Sequence, residues 1–245
     1  MSKTIILIPS RMSAQRLPGK PLLEVNGLPI ICHVVKKAEE AQIGEVFVAT
    51  EDEEISHKVK KFKGNCILTS KKPKTGTDRI WEAFQKLKLN DVEYIINLQG
   101  DEPLINIEDI KNLNILTKKH SCEMSTLASK IEKDDYLSNK NIVKVQTKDK
   151  LDKSKLSFAK KFSRYLSNKE KNIYHHIGIY QFKVSTLENF INFNQSENEK
   201  KYKLEQLRAL DNNIDINVSY ASSKGIGIDT IEDYMELKKI MEYKK

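Results

Sequence analysis

The chain has 245 residues, which is enough for one sizeable hydrophobic core and within the range where an α/β fold forms a single domain. Its formal net charge is +8, yet the basic residues are spread through every segment and are not grouped with aromatic residues, so the sequence does not predict a nucleic-acid groove. No stretch approaches the roughly 20 apolar residues of a membrane-spanning helix, and we expect no membrane partner.

The N-terminus and the cysteines indicate the compartment. A short apolar run ends at Pro9 without the hydrophobic core and cleavage site of a signal peptide. Cys32, Cys66 and Cys122 are widely spaced, so they indicate neither a disulfide framework nor a zinc site. We therefore expect a protein of the reducing cytoplasm.

The first half of the chain alternates short apolar runs with helical patterns, which is typical of βαβ units. We predict an α/β fold with a doubly wound, mostly parallel sheet. In such sheets ligands bind beyond the carboxyl ends of the strands, so the loops after Pro9, Thr69 and Leu98 should share one crevice. Strands are predicted over 4–9, 45–50, 65–69 and 93–98, and helices over 29–42, 52–62 and 77–89.

From residue 123 the alternation of predicted strands and helices stops. Four apolar runs with little helix between them predict a smaller antiparallel insertion lobe over 123–182, within a single domain spanning 1–245. We expect this lobe to bind the second substrate and to supply a dimer contact. Its strands are predicted over 124–131, 142–147, 156–162 and 173–182; helices over 184–193, 203–210 and 231–243 and a strand over 216–221 follow.

Arginine is rare in this chain, where lysine supplies most of the 42 basic residues. A retained arginine indicates a position that needs a planar, bidentate donor for phosphate or carboxylate. The alternative for each is a structural salt bridge. The five arginines are Arg11, Arg16, Arg79, Arg164 and Arg208.

The loop after the first strand brings Arg11, Arg16 and Lys20 together around a Pro-Gly turn. Backbone amides and cations in such a loop can wrap a polyphosphate, although a solvated basic turn would look similar. The spacing matches neither a Walker loop nor a Rossmann fingerprint.

Two further segments carry candidate ligand contacts. Asp101 follows the fourth predicted strand, where a hard oxygen ligand suits Mg²⁺, although an aspartate in a Gly-Pro turn also forms Asx-turns. Gly76, Thr77 and Arg79 open a helix, whose N-terminus attracts anions, although Thr77 would serve equally as a cap.

Eight short sequence motifs, in chain order, are similar to those of a known family. They are R-L-P-G-K-P-L at 16–22, V-A-T at 48–50, T-G-T-D-R at 75–79, N-L-Q-G-D-E-P at 97–103, F-S-R at 162–164, H-I-G-I-Y at 176–180, L-E-Q-L-R at 204–208 and G-I-D-T at 227–230. Through them the chain resembles the nucleotidyltransferases that activate acidic sugars, and among these the CMP-Kdo synthetases (3-deoxy-manno-octulosonate cytidylyltransferases), which have a nucleotide-diphospho-sugar transferase-like fold.

The resemblance implies transfer of CMP from CTP to the anomeric hydroxyl of 3-deoxy-manno-octulosonate (Kdo), giving CMP-Kdo and pyrophosphate for lipopolysaccharide synthesis. It also implies a homodimer and a Mg²⁺ ion held by Asp101 and Asp229, the latter otherwise being read as an N-cap of the last helix. The implied catalytic residues are Arg11, Lys20, Asp101 and Asp229; the nucleotide-binding residues are Arg11, Arg16, Lys20, Thr77, Arg79 and Gln99; the sugar-binding residues are Arg164, His176, Tyr180, Glu205 and Gln206.

Alternatives stay open on the sugar side. His176 would also fit a satisfied strand residue, and Glu205 and Gln206 a solvated helix face. The family usually has serine at the position of Ala14, and a longer, proline-containing segment after Arg164, where Lys169 or Lys171 would be a substitute cation. The shortened segment favours a test of other acidic sugars, such as 8-amino-Kdo or a nonulosonate. The rival from another class is a basic nucleic-acid-binding protein.

Overall fold

The computed structural model describes residues 3–13, 16–131, 139–165, 170–225 and 227–242. The chain divides into two compact units. The first unit comprises Lys3–Ile107 and Gly225–Lys245, and the second unit comprises Glu108–Lys224. Ala14, where the family usually has serine, and Lys169, a candidate substitute cation, lie outside the described residues.

The first unit is built on four parallel strands in the order β5-β4-β1-β6. The central strand β1 is hydrophobic on both faces, and its residues Ile5 to Ile8 are fully buried, as expected for a strand covered on both sides. A short hairpin of β2 and β3 follows β1 in the chain. The strands are β1 (Lys3–Ser10), β2 (Glu24–Val25), β3 (Leu28–Pro29), β4 (Val46–Thr50), β5 (Asn65–Leu68) and β6 (Val92–Asn97).

Three helices connect these strands: α1 (Ile30–Glu40), α2 (Glu53–Lys61) and α3 (Gly76–Leu87). A capping box fixes the start of α3, because the Thr75 hydroxyl accepts a hydrogen bond from the Asp78 amide and the Asp78 carboxylate accepts one from the Thr75 amide. The cap is therefore Thr75, two residues before the position that the sequence suggested. The predicted α/β fold is confirmed for this part of the chain.

The second unit contains five strands: β7 (Met124–Lys130), β8 (Lys144–Thr147), β9 (Ser157–Ser163), β10 (Ile173–Lys183) and β11 (Ile216–Ala221). They pair in the order β10-β7-β11-β9-β8, and β8 also pairs with β10, so the five strands form a closed ring. The β7–β11 pairing is parallel, and the other four are antiparallel. The insertion predicted over 123–182 stays a prediction, since the unit defined by the structure starts earlier and ends later.

The strand β10 is irregular where the pairing register shifts between Ile177 and Tyr180. The Thr126 hydroxyl on β7 donates a hydrogen bond to the Ile179 carbonyl at 2.7 Å, which satisfies a buried acceptor at this bulge. Bulges of this kind re-aim side chains, and here the irregularity lies between His176 and Tyr180.

The remaining helices are α4 (Ile107–Lys119), α5 (Val184–Asn192), α6 (Glu197–Tyr202), α7 (Leu207–Asp211) and α8 (Ile231–Glu242). The sequence reading did not include α4. The helix predicted over 203–210 is wrong in its first half and is found only from Leu207, because Lys203 adopts the left-handed conformation, with φ 53°, and ends α6 there. Glu205 and Gln206 therefore lie in a turn before α7 and not on a helix face. Among the described residues, no helix is both long and apolar enough to cross a membrane.

Candidate active site

A cleft of about 740 Å³ lies in the first unit, at the carboxyl ends of β1 and β6. This is the edge at which parallel sheets bind ligands. Of the predicted nucleotide-binding and metal-binding residues, seven line it: Arg11, Arg16, Lys20, Arg79, Gln99, Asp101 and Asp229.

The loop after β1 turns sharply before it delivers Lys20. Gly19 takes a φ of 70°, which suits glycine, and a short 3₁₀ helix, Lys20–Leu22, begins after it. The Lys20 ammonium is mostly buried and lies 2.6 Å from Asp101 Oδ2 and 3.3 Å from Asp229 Oδ1. Arg16 adds a more exposed ion pair, with its Nη2 at 2.9 Å from Asp229 Oδ2. One ammonium thus joins carboxylates that are 128 residues apart in the chain.

Backbone contacts bring those carboxylates together. Gly100 allows the turn after β6 to pass close to β1, since a Cβ there would lie 2.9 Å from the Pro9 carbonyl oxygen. The Ile228 amide donates to the Asp101 carbonyl at 3.0 Å. The cap of α8 is made by Thr230 with Asp233 and not by Asp229, whose carboxylate is left for the cleft.

Asp101 and Asp229 are the residues of the cleft that could hold a divalent cation. Both carboxylates already contact one cationic group, the Lys20 ammonium, and carboxylate oxygens are hard donors of the kind that Mg²⁺ prefers. Glu102 stands beside them, and burial, followed by the charges of Asp101 and Asp229, raises its pKa to about 8. Glu102 is therefore mostly protonated at neutral pH and adds little negative charge to the pair. The sequence reading missed this residue, although it is adjacent to Asp101.

Asp52 is a second residue that sequence reasoning missed. Its Oδ2 accepts a hydrogen bond from the Met12 amide at 2.8 Å, which ties the loop after β1 to the start of α2. The exposed Arg11 side chain is carried by the residue before that amide. An aspartate after a strand that ends in V-A-T is the available sequence signal, but its partner is 40 residues away.

Arg79, Thr77 and Gln99 occupy different environments. Arg79 is buried; its Nη2 lies 2.6 Å from Glu51 Oε2 and its Nη1 donates to Thr69 Oγ1 at 2.7 Å, although the residue lines the cleft. Thr77 is 2% exposed and does not line the cleft, so the structure does not place it with the other predicted nucleotide-binding residues. Gln99 lines the cleft and donates to Asn97 Oδ1 at 3.1 Å.

In the second unit, three predicted sugar-binding residues lie together. The rings of His176 and Tyr180 are 5.4 Å apart, and Tyr180 is close enough to Glu205 for its pKa to be raised, first by burial and then by that carboxylate. Burial, with a smaller contribution from His175, lowers the pKa of His176 to about 3, so this imidazole is neutral at physiological pH. Its Nε2 lies 3.0 Å from the Thr126 hydroxyl, as a satisfied strand residue would require.

The turn that carries Glu205 and the buried Gln206 is braced by an ion pair. Arg208 donates to Glu199 through Nε at 2.8 Å and through Nη2 at 2.7 Å, and both side chains are almost fully buried. The same Nη2 lies 3.9 Å from Glu205 Oε1. Arg208 thus connects α6 and α7 to the turn between them.

Arg164 is partly exposed at the end of β9. Its Nη1 donates to the carbonyls of Lys140, at 3.2 Å, and Asn141, at 3.1 Å. Two residues earlier, Phe162 packs edge-on against His176 with ring centroids 5.1 Å apart. The strand that leads to Arg164 therefore contacts the cluster of His176, Tyr180 and Glu205.

Comparisons with known proteins assign the chain to a family. A model of the cytidylyltransferase family matches residues 5–216. A 3-deoxy-manno-octulosonate cytidylyltransferase of Thermodesulfovibrio yellowstonii is 44% identical over 94% of each chain, and one of Rhodopseudomonas palustris is 36% identical over 99% of each. A solved CMP:2-keto-3-deoxy-manno-octonic acid synthetase complexed with CTP is 33% identical and superposes with a TM-score of 0.89 over the full length of both chains.

The fold, the cleft and the family match define a nucleotidyltransferase of the cytidylyltransferase class. More specifically, the chain belongs to the 3-deoxy-manno-octulosonate cytidylyltransferase family, with relatives that match it over nearly their whole length.

Proposed function

We propose that the protein transfers CMP from CTP to the anomeric hydroxyl of 3-deoxy-manno-octulosonate, giving CMP-Kdo and pyrophosphate for lipopolysaccharide synthesis. The observation that carries the proposal is the convergence of Lys20, Asp101 and Asp229 in a cleft at the carboxyl ends of parallel strands. The names of the relatives supply the nucleotide and the sugar.

In the proposed reaction the anomeric oxygen of the sugar attacks the α-phosphorus of CTP, and pyrophosphate leaves in line as the P–O bond breaks. Such transfers depend mainly on positioning and charge neutralisation. Arg11, Arg16 and Lys20 line the cleft and bind the triphosphate and the departing pyrophosphate. Gln99 and Arg79 line the same cleft and position the nucleotide.

Asp101 and Asp229 would hold Mg²⁺, which when bound polarises phosphate oxygens and favours ionisation of a nearby hydroxyl. The two carboxylates fit the ion because they are hard donors already directed at one cation, the Lys20 ammonium.

On the sugar side, we assign Arg164, His176, Tyr180, Glu205 and Gln206 to the acidic sugar. The grouping of His176, Tyr180 and Glu205 supports this, as does the bidentate chemistry that arginine offers a carboxylate. We also propose that the chain has a doubly wound sheet with an antiparallel sugar-binding lobe. Two copies of the chain would form a homodimer. A cytoplasmic location is supported by the three cysteines, all of which are free thiols.

The shortened segment after Arg164 favours one alternative within the same chemistry, namely cytidylyl transfer to another acidic sugar such as an 8-amino-Kdo or a nonulosonate. The relatives described above are cytidylyltransferases and do not support the nucleic-acid alternative.

Pyrophosphate release tests the proposal directly. The enzyme is incubated with CTP, ATP or GTP and with each of the three acidic sugars, with Mg²⁺ and with excess chelator. We expect release with CTP and 3-deoxy-manno-octulosonate that stops in the chelator. Equal turnover with a purine nucleotide would contradict the nucleotide assignment, faster turnover with another sugar would favour the alternative, and full activity in chelator would contradict the metal assignment.

A further inference from the structure

Lys144 is a cation in the interior of the second unit that the proposed mechanism does not use. It is the first residue of β8, and its side chain is fully buried. The ammonium donates to the carbonyl of Asn139 at 2.6 Å and to the carbonyl of Arg164 at 2.9 Å. Among the described residues, the partners found for this ammonium are these two carbonyls.

The Arg164 side chain contacts the same turn as Lys144. Its Nη1 donates to the carbonyls of Lys140 and Asn141, in the same turn whose Asn139 carbonyl accepts from Lys144. Lys144 therefore contacts the main chain of Arg164 directly. It also contacts the 139–141 turn, and that turn accepts hydrogen bonds from the guanidinium of Arg164. Both the main chain and the side chain of Arg164 thus depend on Lys144.

Burial of the Lys144 ammonium costs free energy, which suggests that the lysine serves a purpose beyond filling space. Burying an ammonium is unfavourable, and Arg164 adds a like charge nearby. Burial first, and then the charge of Arg164, lower the pKa of Lys144. A methionine of similar length would fill the same space without that cost, but it would donate no hydrogen bonds to the two carbonyls.

We propose that Lys144 is a positioning residue for Arg164: by holding the Arg164 carbonyl and the 139–141 turn, it fixes the guanidinium in the orientation that binds the carboxylate of the acidic sugar. The inference rests on the proposed function, because it assumes that Arg164 binds the sugar. Lys144 acts through Arg164 and does not itself contact the substrate. A planar, bidentate donor gains most from such support, since misorientation loses both hydrogen bonds to the carboxylate together.

A double-mutant cycle tests the proposal through the KM values for 3-deoxy-manno-octulosonate and for CTP. Arg164→Ala should raise the sugar KM by roughly 10- to 100-fold, and Lys144→Met by about tenfold, with the CTP KM within about twofold of wild type in both. The double variant should lie within about twofold of Arg164→Ala alone, because Lys144 has nothing left to position; independent contributions would multiply.

The matched control is Lys161→Met, which removes an exposed lysine from β9 and should leave both KM values unchanged. If Lys144→Met does not fold, as judged by its melting curve and its CTP binding, Lys144→Gln takes its place in the same cycle. Its amide keeps N–H donors that help the variant to fold, but the shorter side chain cannot hold both carbonyls, so the same rise in the sugar KM is expected.

The outcomes separate the inference from the function on which it rests. A sugar KM raised by Arg164→Ala but not by the Lys144 variant, or multiplicative effects in the double variant, would overturn the positioning role alone. If Arg164→Ala leaves the sugar KM unchanged, the assignment of Arg164 to the sugar fails, and this inference fails with it. A CTP KM raised as strongly as the sugar KM would show that Lys144 only maintains the fold.

Discussion

The two units of the molecule neutralise their site cations in different ways. In the first unit, Lys20 and Arg16 are paired with the carboxylates of Asp101 and Asp229. In the second unit, Lys144 and Arg164 are held by backbone carbonyls. Carbonyl dipoles orient a cation but leave its charge uncompensated, whereas carboxylates cancel it. Lys20 and Arg16 are thus balanced by two carboxylates, whereas the charges of Lys144 and Arg164 are met by carbonyl dipoles; on the proposed function, Arg164 would then offer its charge to the carboxylate of the sugar.

Arg208, a buried cation of the second unit that is paired with a carboxylate, extends this comparison. Removing the charge of its partner Glu199 should have the largest effect of the variants considered. Glu199→Gln would leave the buried Arg208 with reduced charge compensation, so we expect the free energy of unfolding to fall by about 3–5 kcal/mol. Urea denaturation measures it. Glu197→Gln, in the same helix and in an exposed pair with Lys200, is the control and should cost less than about 1 kcal/mol. Equal losses in the two variants would show that burial of the pair is unimportant.

The first unit is tested by Asp101→Asn, which removes one of the two carboxylates next to Lys20. We expect kcat at saturating sugar to fall by about 100-fold or more, because the lost charge acts on the phosphoryl group being transferred. The sugar KM should change little. Asp91→Asn, at an exposed acid that pairs with Lys3, is the control. A raised sugar KM with unchanged kcat would contradict the assignment of Asp101 to the nucleotide side.

The pH dependence of stability follows from the histidines of the second unit. The pKa of His175 is lowered to about 4 and that of His176 to about 3, chiefly by burial, against about 6.5 in an unfolded chain. Between pH 6.5 and these values the unfolded histidines bind more protons than the folded ones, so their contribution to stability is lost as the pH falls, by up to about 1.4 kcal/mol per pH unit for each histidine. Glu102, with its pKa raised to about 8, acts in the opposite direction, so the histidine contribution is read from a difference between variants. Urea midpoints from pH 7.5 to 5 measure the net change, and His176→Gln should lose less stability over that range than wild type. An equal loss would exclude His176 as a source.

The smallest effect is expected at Asp52, whose carboxylate accepts from the Met12 amide. Asp52→Ala removes one hydrogen bond that positions the loop carrying Arg11, so the CTP KM should rise by roughly two- to tenfold, as expected for a bond worth about 0.5–1.5 kcal/mol. Asp52→Asn keeps an acceptor oxygen and should stay close to wild type. A sugar KM that rises while the CTP KM does not would show that the loop does not serve the nucleotide.

Those parts of the fold that depend on local patterns could be predicted from sequence. The buried run of β1 and the helix α3 are found within a few residues of their predicted bounds. The helix predicted over 203–210 starts too early, because an apolar period does not reveal a left-handed Lys203. The helix α4 was missed; one of its buried polar residues, Asp109, accepts hydrogen bonds from Ser222 and Ser223, a contact between segments over 100 residues apart that no local pattern shows.

The residues of the candidate site also fall into those that sequence motifs predicted and those that only long-range contacts reveal. The family motifs predicted seven residues that line the cleft, including the converging pair of Asp101 and Asp229. The ion pair of Arg79 with Glu51 and the anchoring of Met12 by Asp52 join segments 28 and 40 residues apart, so neither could be read from spacing. Lys144 gave no signal either, since one lysine among many looks like solvated surface until its burial is known.

The closed strand ring of the second unit also bears on self-association. Each of its five strands has a partner strand on both sides, so the ring presents no strand without a neighbour as a template for another chain. In the first unit β5 lies at the end of the strand order, with β4 as its neighbour. It has four residues, about 13 Å of backbone, and the exposed Lys63 and Lys71 lie in the segments that flank it. Short length and flanking charge are common protections of strand edges against aggregation, whereas the second unit gains its protection by closure.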